Sequence, residues 1–196
     1  MRNFVNLFSA SLLWSTPPTA NQSFNLTRLI QPPASFNMIP SSPPLALPGY
    51  DHIKRYWDHH NNSYVAKILP GEYYVTYQEE VLMTVVGSCV SACIRDGVKG
   101  IGGMNHFMLP THNSSASPWE HTRVNAATRY GSFAMEHMIN EILKHGGRRE
   151  NLEVKLFGGG RIMANMGNIG QQNIEFVKNY VKIEGLNLLA EDLGDI

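Results

Sequence analysis

From residue 50 onward, apolar and polar positions sort the chain into strands followed by helices. Residues 72–77 and 81–94 are dense in Tyr, Val and Thr and read as strands. Leu69-Pro70-Gly71 before them and Arg95-Asp96-Gly97 after them are turn sequences. Residues 100–109, marked by Gly102 and Gly103 and closed by Pro110, predict a third strand, and 111–121 is loop by composition. The period then changes. Val124, Ala127, Gly131, Ala134, Met138 and Ile142 recur every three or four positions, which places them on one face of a helix over 123–145. Gly146-Gly147 supplies its stop. A strand over 152–157, a tight Gly158-Gly159-Gly160 loop, a helix over 169–183 burying Ile174, Val177 and Val181, and a strand over 186–190 complete the pattern. Strands first, then helices alternating with strands, predict a mixed α/β sandwich rather than a doubly wound sheet.

The first 49 residues follow other rules. They hold eight of the eleven prolines, no acidic residue, and only Arg2 and Arg28 as charges. Proline fixes φ and removes a donor, so such a segment cannot sustain a helix or a ladder. It is expected to be a disordered, proline-rich extension, with the globular domain running over 50–196. The N-terminus has a single arginine and no A-x-A site, so a secretory leader is not expected. The apolar run over 81–94 is shorter than the roughly 18 residues a spanning helix needs. Sixteen basic residues balance sixteen acidic ones. No net field points to nucleic acid or an anionic membrane as a partner.

Candidate chemistry is concentrated in two places. Gly87-Ser88-Cys89 sits within the apolar run, where glycine marks a bend or a close approach. A cysteine after such a bend can present its sulfur while the N–H groups near Gly87 and Ser88 point at the same space, as an oxyanion requires. A small buried hydrophobe is the ordinary use of a free cysteine. Seventeen residues on, Gly102-Gly103-Met104-Asn105-His106 ends in a histidine, and a hairpin through Asp96-Gly97 would return it beside Cys89. A Cys–His pair is the minimum for thiol activation, although a lone strand histidine is more often packed and satisfied. Zinc is the rival use, but Cys89 and Cys93 on one extended strand spread their sulfurs too far for one ion. The same spacing forbids a disulfide and fits a reducing compartment. Gly158-Gly159-Gly160 has no phosphate-loop lysine and reads as a flexible rim. Met104, Met108, Tyr73 and Tyr74 read as core or edge packing, and Glu136 and Glu141 as a solvated helix face.

Several segments resemble the CheD family of chemoreceptor glutamine deamidases: K-I-L-P-G-E-Y-Y-V-T (67–76), T-V-V-G-S-C-V-S-A-C-I-R-D (84–96), G-G-M-N-H-F-M-L-P (102–110), R-Y-G-S-F-A-M-E (129–136), V-K-L-F-G-G-G (154–160) and A-E-D-L-G (190–194). They run in order from about residue 50 to the end. The resemblance implies a three-layer α/β sandwich similar to bacterial toxin deamidase domains. It implies Cys89 as nucleophile, His106 as general acid/base and no cofactor. The family's third site position is a threonine hydroxyl; one family spacing falls on Met83, and Thr84 is the hydroxyl at hand. Family members continue past D-L-G-G into a basic strand and a hairpin, so the chain is expected to lack C-terminal strands and to leave a sheet edge open.

The implied activity is conversion of specific glutamines on methyl-accepting chemoreceptor cytoplasmic domains to glutamates, through a thioester, in the cytoplasm. The implied second partner is a response-regulator phosphatase, and a non-catalytic adaptor of that phosphatase is the alternative reading. A papain-like protease or transglutaminase would need a further Asn or Asp to orient the histidine, and Asn105, adjacent in sequence, is not placed for that.

Overall fold

The computed structural model describes residues 42–109, 121–161 and 168–194, without the side chains of 121–129. In chain order the elements are β1 (Lys54–Asp58), β2 (Ser63–Lys67), β3 (Tyr73–Thr76), β4 (Glu80–Met83), β5 (Val90–Asp96), β6 (Ile101–Asn105), α1 (His121–Lys144), β7 (Leu152–Gly158), α2 (Ile169–Ile183) and β8 (Asn187–Leu193). A three-stranded sheet has the order β1-β2-β4, and a five-stranded sheet has the order β3-β6-β5-β7-β8. Pairing is antiparallel except for β2 with β4 and β7 with β8. Both helices pack on the five-stranded sheet, α1 against β3, β5 and β6, and α2 against β5 and β8. The fold is therefore mixed α/β and compatible with an α/β sandwich.

The helix periods reappear as packing. Met138 and Ile142 of α1 and Val177 and Val181 of α2 are buried in a core shared with Val90, Ala92, Ile94 and Leu156. The expected α1 face positions Val124 and Ala127 lie outside the described side chains, as does the expected loop over 111–120. Helix α1 ends where Gly146, at φ +94°, donates to Leu143 O and Gly147 donates to Ile142 O. Only glycine takes that left-handed turn without strain. Glu136 is exposed, whereas Glu141 is partly buried and pairs with Lys144 and His145. Leu47 and Tyr50 are core residues and Ala46 packs against that core, so among the described residues packing extends into the segment before residue 50. Of residues 1–49, only 42–49 are described.

Two expectations need correction. The single strand over 81–94 is two strands in two different sheets: the chain leaves the three-stranded sheet at Met83, crosses through residues 84–89, and enters the five-stranded sheet at Val90. Continuous apolarity here reflects burial in both sheets rather than one long strand. Strands β1 and β2 were not expected, because each is only five residues long and begins and ends on a polar side chain. Their register, Tyr56 opposite Val65 and Trp57 opposite Tyr64, buries Val65 and Ala66 at the centre.

A buried carboxylate joins the sheets. Glu80 of β4 receives Arg55 Nε of β1 at 2.8 Å, and Tyr74 Oη and Thr76 Oγ1 of β3 at 2.7 and 2.8 Å. A buried charge held this way is strongly destabilising to break, since removing a partner leaves the other uncompensated.

Asp96 closes the far end of the β5–β6 hairpin. It is fully buried and accepts from the N–H groups of Val98, Lys99 and Arg148 and from the Asn151 amide. Burial alone would raise its carboxyl; these four donors overcome that and hold it below the ordinary carboxylate value. A depressed pKa contributes stability that is present above the unfolded value of about 4 and lost as pH falls toward the folded one. Asp96→Asn is accordingly expected to lower the urea midpoint at pH 7, with the gap from the parent chain closing as pH drops below about 4. A gap independent of pH across that range would show that Asp96 does not act through its charge.

Candidate active site

The crossing segment presents Cys89 immediately before β5, half-buried, while Cys93 lies within β5 and is buried. Both are free thiols. Val90 and Phe107 exchange both backbone hydrogen bonds at 3.0 Å. Cys89 and His106 therefore sit diagonally across that bridge, where neighbours on one face of a ladder stand roughly 7–8 Å apart. The hairpin expected through Asp96-Gly97 forms as Cys93 opposite Met104 and Asp96 opposite Ile101.

His106 is held from three sides. Its backbone N–H donates to Glu72 O at 2.9 Å, and its carbonyl accepts from Gly71 N at 2.7 Å, so the Leu69-Pro70-Gly71 turn carries the ladder past the end of β6. Its Nδ1 stands 2.7 Å from Thr84 Oγ1, and Thr84 Oγ1 in turn donates to Ile68 O at 2.8 Å. A hydroxyl has one proton to give. With that proton on Ile68 O, Oγ1 accepts from Nδ1–H, which leaves Nε2 as the bare, basic nitrogen. Nε2 is buried and, among the described residues, has no hydrogen-bond partner. At 2% exposure, burial holds the imidazole below its ordinary pKa, so it is neutral at pH 7. Thr84 is thus in direct contact with His106, whereas Met83 meets Tyr56 Oη through its sulfur.

The Gly87-Ser88-Cys89 bend is fixed through its carbonyls. Gly87 O accepts from Gly160 N, Cys89 O from Gly159 N, and Ser88 O from Asn173 Nδ2, each at 2.7 Å. Among the described residues, neither the Ser88 nor the Cys89 N–H donates to any carbonyl. A segment whose acceptors are all used and whose donors are open offers hydrogen bonds to an incoming negative oxygen. Burial raises the Cys89 thiol above its ordinary pKa, and its own N–H draws part of that back. Burial pushes Cys93 further, up to about 12.

These contacts correct the reading of Gly158-Gly159-Gly160 as a flexible rim. Gly158 and Gly159 adopt φ of +101° and +74°, and a Cβ on Gly158 would stand 2.3 Å from Cys89 O. The loop is a brace against the bend. Asn173 was also missed. It is fully buried on α2, and its Oδ1 accepts from Leu109 N at 2.8 Å while its Nδ2 holds Ser88 O. The available signal was one polar residue on the buried helix face that contains Gly170, Val177 and Val181. Asn105 serves a similar purpose within the hairpin, its Oδ1 taking the Ala92 N–H at 2.9 Å where the ladder is interrupted. Met108, read as packing, is exposed.

A groove of about 840 Å³ lies elsewhere, between the sheets, lined by Trp57, Tyr64, Leu82, Ile94 and Gly103 but by neither Cys89 nor His106. Among the described residues no three His, Cys, Asp or Glu side chains converge as metal ligands. No described helix is long and apolar enough to cross a membrane.

Comparison with known proteins agrees with the segment resemblance. The family model described as CheD chemotactic sensory transduction matches residues 108–196, beginning just after His106. The chain is 54% identical over 151 residues to a probable chemoreceptor glutamine deamidase CheD of Halorhodospira halophila, an alignment covering 77% of this chain and 70% of that protein. This chain belongs to the CheD family. The relative of the same name from Hahella chejuensis is 48% identical over 79% of this chain and 72% of its own length. A third CheD, from Saccharophagus degradans, is 51% identical over 76% of this chain and 69% of its own length.

In this CheD chain burial raises the Cys89 thiol and lowers the His106 imidazole, both of which favour the neutral forms over a thiolate–imidazolium. Iodoacetamide labelling of Cys89, followed by peptide mass spectrometry, is expected to be slow at pH 7 and to accelerate only above the ordinary thiol value of about 8.5. Cys93 is expected to stay unlabelled in the folded chain. Fast labelling of Cys89 at pH 6–7 would mean a pre-formed ion pair instead.

Proposed function

We propose that this chain deamidates glutamine side chains of chemoreceptors, with Cys89 as nucleophile, His106 as acid/base and Thr84 as the group that fixes the imidazole. The observation that carries the proposal is the hydrogen-bond chain Ile68 O–Thr84–His106, which leaves Nε2 basic on the same face as a cysteine with open N–H groups. Family membership supplies the substrate class, since the relatives are named probable chemoreceptor glutamine deamidases.

In this reading, approach of the carboxamide displaces the neutral resting pair. Nε2 takes the thiol proton as Sγ bonds to the carboxamide carbon, and the negative oxygen is held by the Ser88 and Cys89 N–H groups. Imidazolium returns the proton to the nitrogen, the C–N bond breaks, and ammonia leaves a thioester on Cys89. Water then gives a proton to Nε2 and its oxygen to the acyl carbon. The C–S bond breaks, the thiol recovers its proton and the side chain departs as glutamate. The new negative charge on the receptor shifts its conformational equilibrium only so far as the two signalling states differ in their interaction with that charge.

The finer expectations belong to the same proposal. The globular part from about residue 50 acts as the deamidase domain behind a proline-rich extension, in a three-layer arrangement akin to toxin deamidases. It works on the cytoplasmic part of receptors and has a response-regulator phosphatase as a second partner.

The test is peptide mass spectrometry of a purified chemoreceptor cytoplasmic fragment incubated with the chain. Specific glutamines are expected to gain the amide-to-acid mass shift, and Cys89→Ala and His106→Ala to abolish it. A folded chain that binds the fragment but yields no shift would move the reading to an adaptor. Thr84→Val removes one hydrogen bond of about 1–3 kcal/mol and is expected to slow turnover about 10- to 100-fold, while Thr84→Ser retains most of it. Equal rates for Thr84→Val and the parent chain would remove Thr84 from the site.

A further inference from the structure

In a trans peptide the C=O and N–H point in opposite directions across one plane, and the described residues contain no cis bond. A hydrogen bond to the carbonyl therefore also aims the N–H. At the bend, the peptide joining Gly87 to Ser88 is held at Gly87 O by Gly160 N, which sets the Ser88 N–H. The peptide joining Cys89 to Val90 is used at both ends, its carbonyl by Gly159 N and its N–H by Phe107 O. Between them lies the peptide joining Ser88 to Cys89. Its carbonyl takes Asn173 Nδ2 at 2.7 Å, and its N–H is that of Cys89. This N–H lies beside the reacting sulfur, where it draws the thiol pKa back down.

Asn173 differs in kind from the two glycine donors. Those are backbone groups, whereas Asn173 acts through its side chain from α2. It is fully buried, and its partners permit one orientation of the amide: Nδ2 donates to Ser88 O, and Oδ1 accepts from Leu109 N at 2.8 Å. Ser88 immediately precedes Cys89, and Leu109 lies three residues past His106. One side chain thus ties together the two segments that carry the reacting groups. The first turn of α2 is itself seated on the glycine brace, since a Cβ on Gly170 would stand 2.3 Å from Gly159 O. A buried asparagine ordinarily serves only to satisfy backbone groups. Here the peptide it satisfies is the one that presents the Cys89 N–H.

We propose that Asn173 is a positioning residue of this site: its hold on Ser88 O aims the Cys89 N–H at the oxyanion, and its hold on Leu109 N keeps that donor in register with His106. The role rests on the deamidase reading above. The oxyanion exists only once Sγ has bonded to the carboxamide carbon. A misaimed N–H therefore weakens the transition state without loosening the complex with bound substrate. Alkylation of the same thiol by iodoacetamide forms no oxyanion and does not depend on that aim.

The experiment measures kcat and KM for the receptor fragment with the parent chain, Asn173→Asp and Asn173→Leu. The limiting rate of Cys89 alkylation by iodoacetamide at high pH is measured alongside. In Asn173→Asp one oxygen can still accept from Leu109 N, while the other faces Ser88 O without a proton to give. Its kcat at about pH 8 is expected to fall about 10- to 100-fold with KM little changed. Burial raises the pKa of such a carboxyl, and protonation returns an O–H donor to Ser88 O. The ratio of variant to parent kcat is therefore expected to climb as pH falls from about 8 toward about 5. Asn173→Leu, similar in shape but with no proton to gain, is expected to lose kcat at every pH. All three chains are expected to reach the same limiting alkylation rate. A parent-like kcat in either variant, or a rise in KM alone, would overturn the proposal. So would a ratio for Asn173→Asp that is flat with pH, or alkylation lost in proportion to kcat, since each leaves Asn173 only a tether of the bend. If Asn173→Asp does not fold, Asn173→Leu carries the comparison of kcat with alkylation. If neither keeps the parent's near-UV circular dichroism, Asn173 is a structural residue and the positioning role falls while the deamidase reading stands. No conversion by the parent removes the deamidase reading and this role with it.

Discussion

The structure depends on how a six-residue segment is held as it passes from one sheet to another. Among the described residues, 84–89 have no ladder partner of their own, yet they lie between two well-formed strands, β4 and β5. Backbone polar groups in such a crossing must be satisfied from outside or left to solvent. Here the carbonyls of Gly87, Ser88 and Cys89 are taken by Gly160, Asn173 and Gly159. That arrangement fixes the bend through its acceptors, while among the described residues the Ser88 and Cys89 N–H groups donate to no carbonyl. One constraint therefore sets both the sheet crossing and the position of Cys89.

The candidate site consequently lies at a seam. Thr84 follows the last strand of the three-stranded sheet, Ile68 follows its central strand, and His106 follows β6 of the five-stranded sheet. The hydroxyl of Thr84 bridges the two sheets while it sets the imidazole tautomer. At another point of the same seam, Glu80 binds Arg55, Tyr74 and Thr76 across the sheets. Relative movement of the sheets would break both networks, so the packing that stabilises the fold also holds Nε2 in place. Burial raises the Cys89 thiol and lowers the His106 imidazole, which favours the neutral form of both.

Much of this was legible along the chain. The 3.6-residue period found both helices, with α2 matching residues 169–183 end to end. The Pro-Gly and Asp-Gly turns and the glycine-marked strand before His106 gave a hairpin that does return the histidine beside Cys89. The Gly87-Ser88-Cys89 bend was visible because glycine interrupts an apolar run for a reason. The misses share a cause. Strands β1 and β2 are five residues each, too short for alternation to rise above composition. Asn173 is 84 positions from Cys89, and the glycine brace about 70, so nothing local to the bend indicates what holds it. Thr84 could not be chosen over Met83 by spacing, because a single residue of slip inverts a strand side chain.

The amino-acid sequence by itself determined the inventory: which segments are apolar enough to bury, where the turns fall, and that one cysteine and one histidine stand within reach of a common hairpin. These are local properties, set by side-chain period and by the conformational limits of glycine and proline. Tertiary structure alone decided that the long apolar run divides between two sheets, that the Thr84 hydroxyl meets Nδ1 rather than solvent, and that the glycine loop braces the bend. Each of these depends on residues far apart in the chain arriving at the same point. Their geometry is fixed only when both sheets and α2 have packed, which no local pattern encodes.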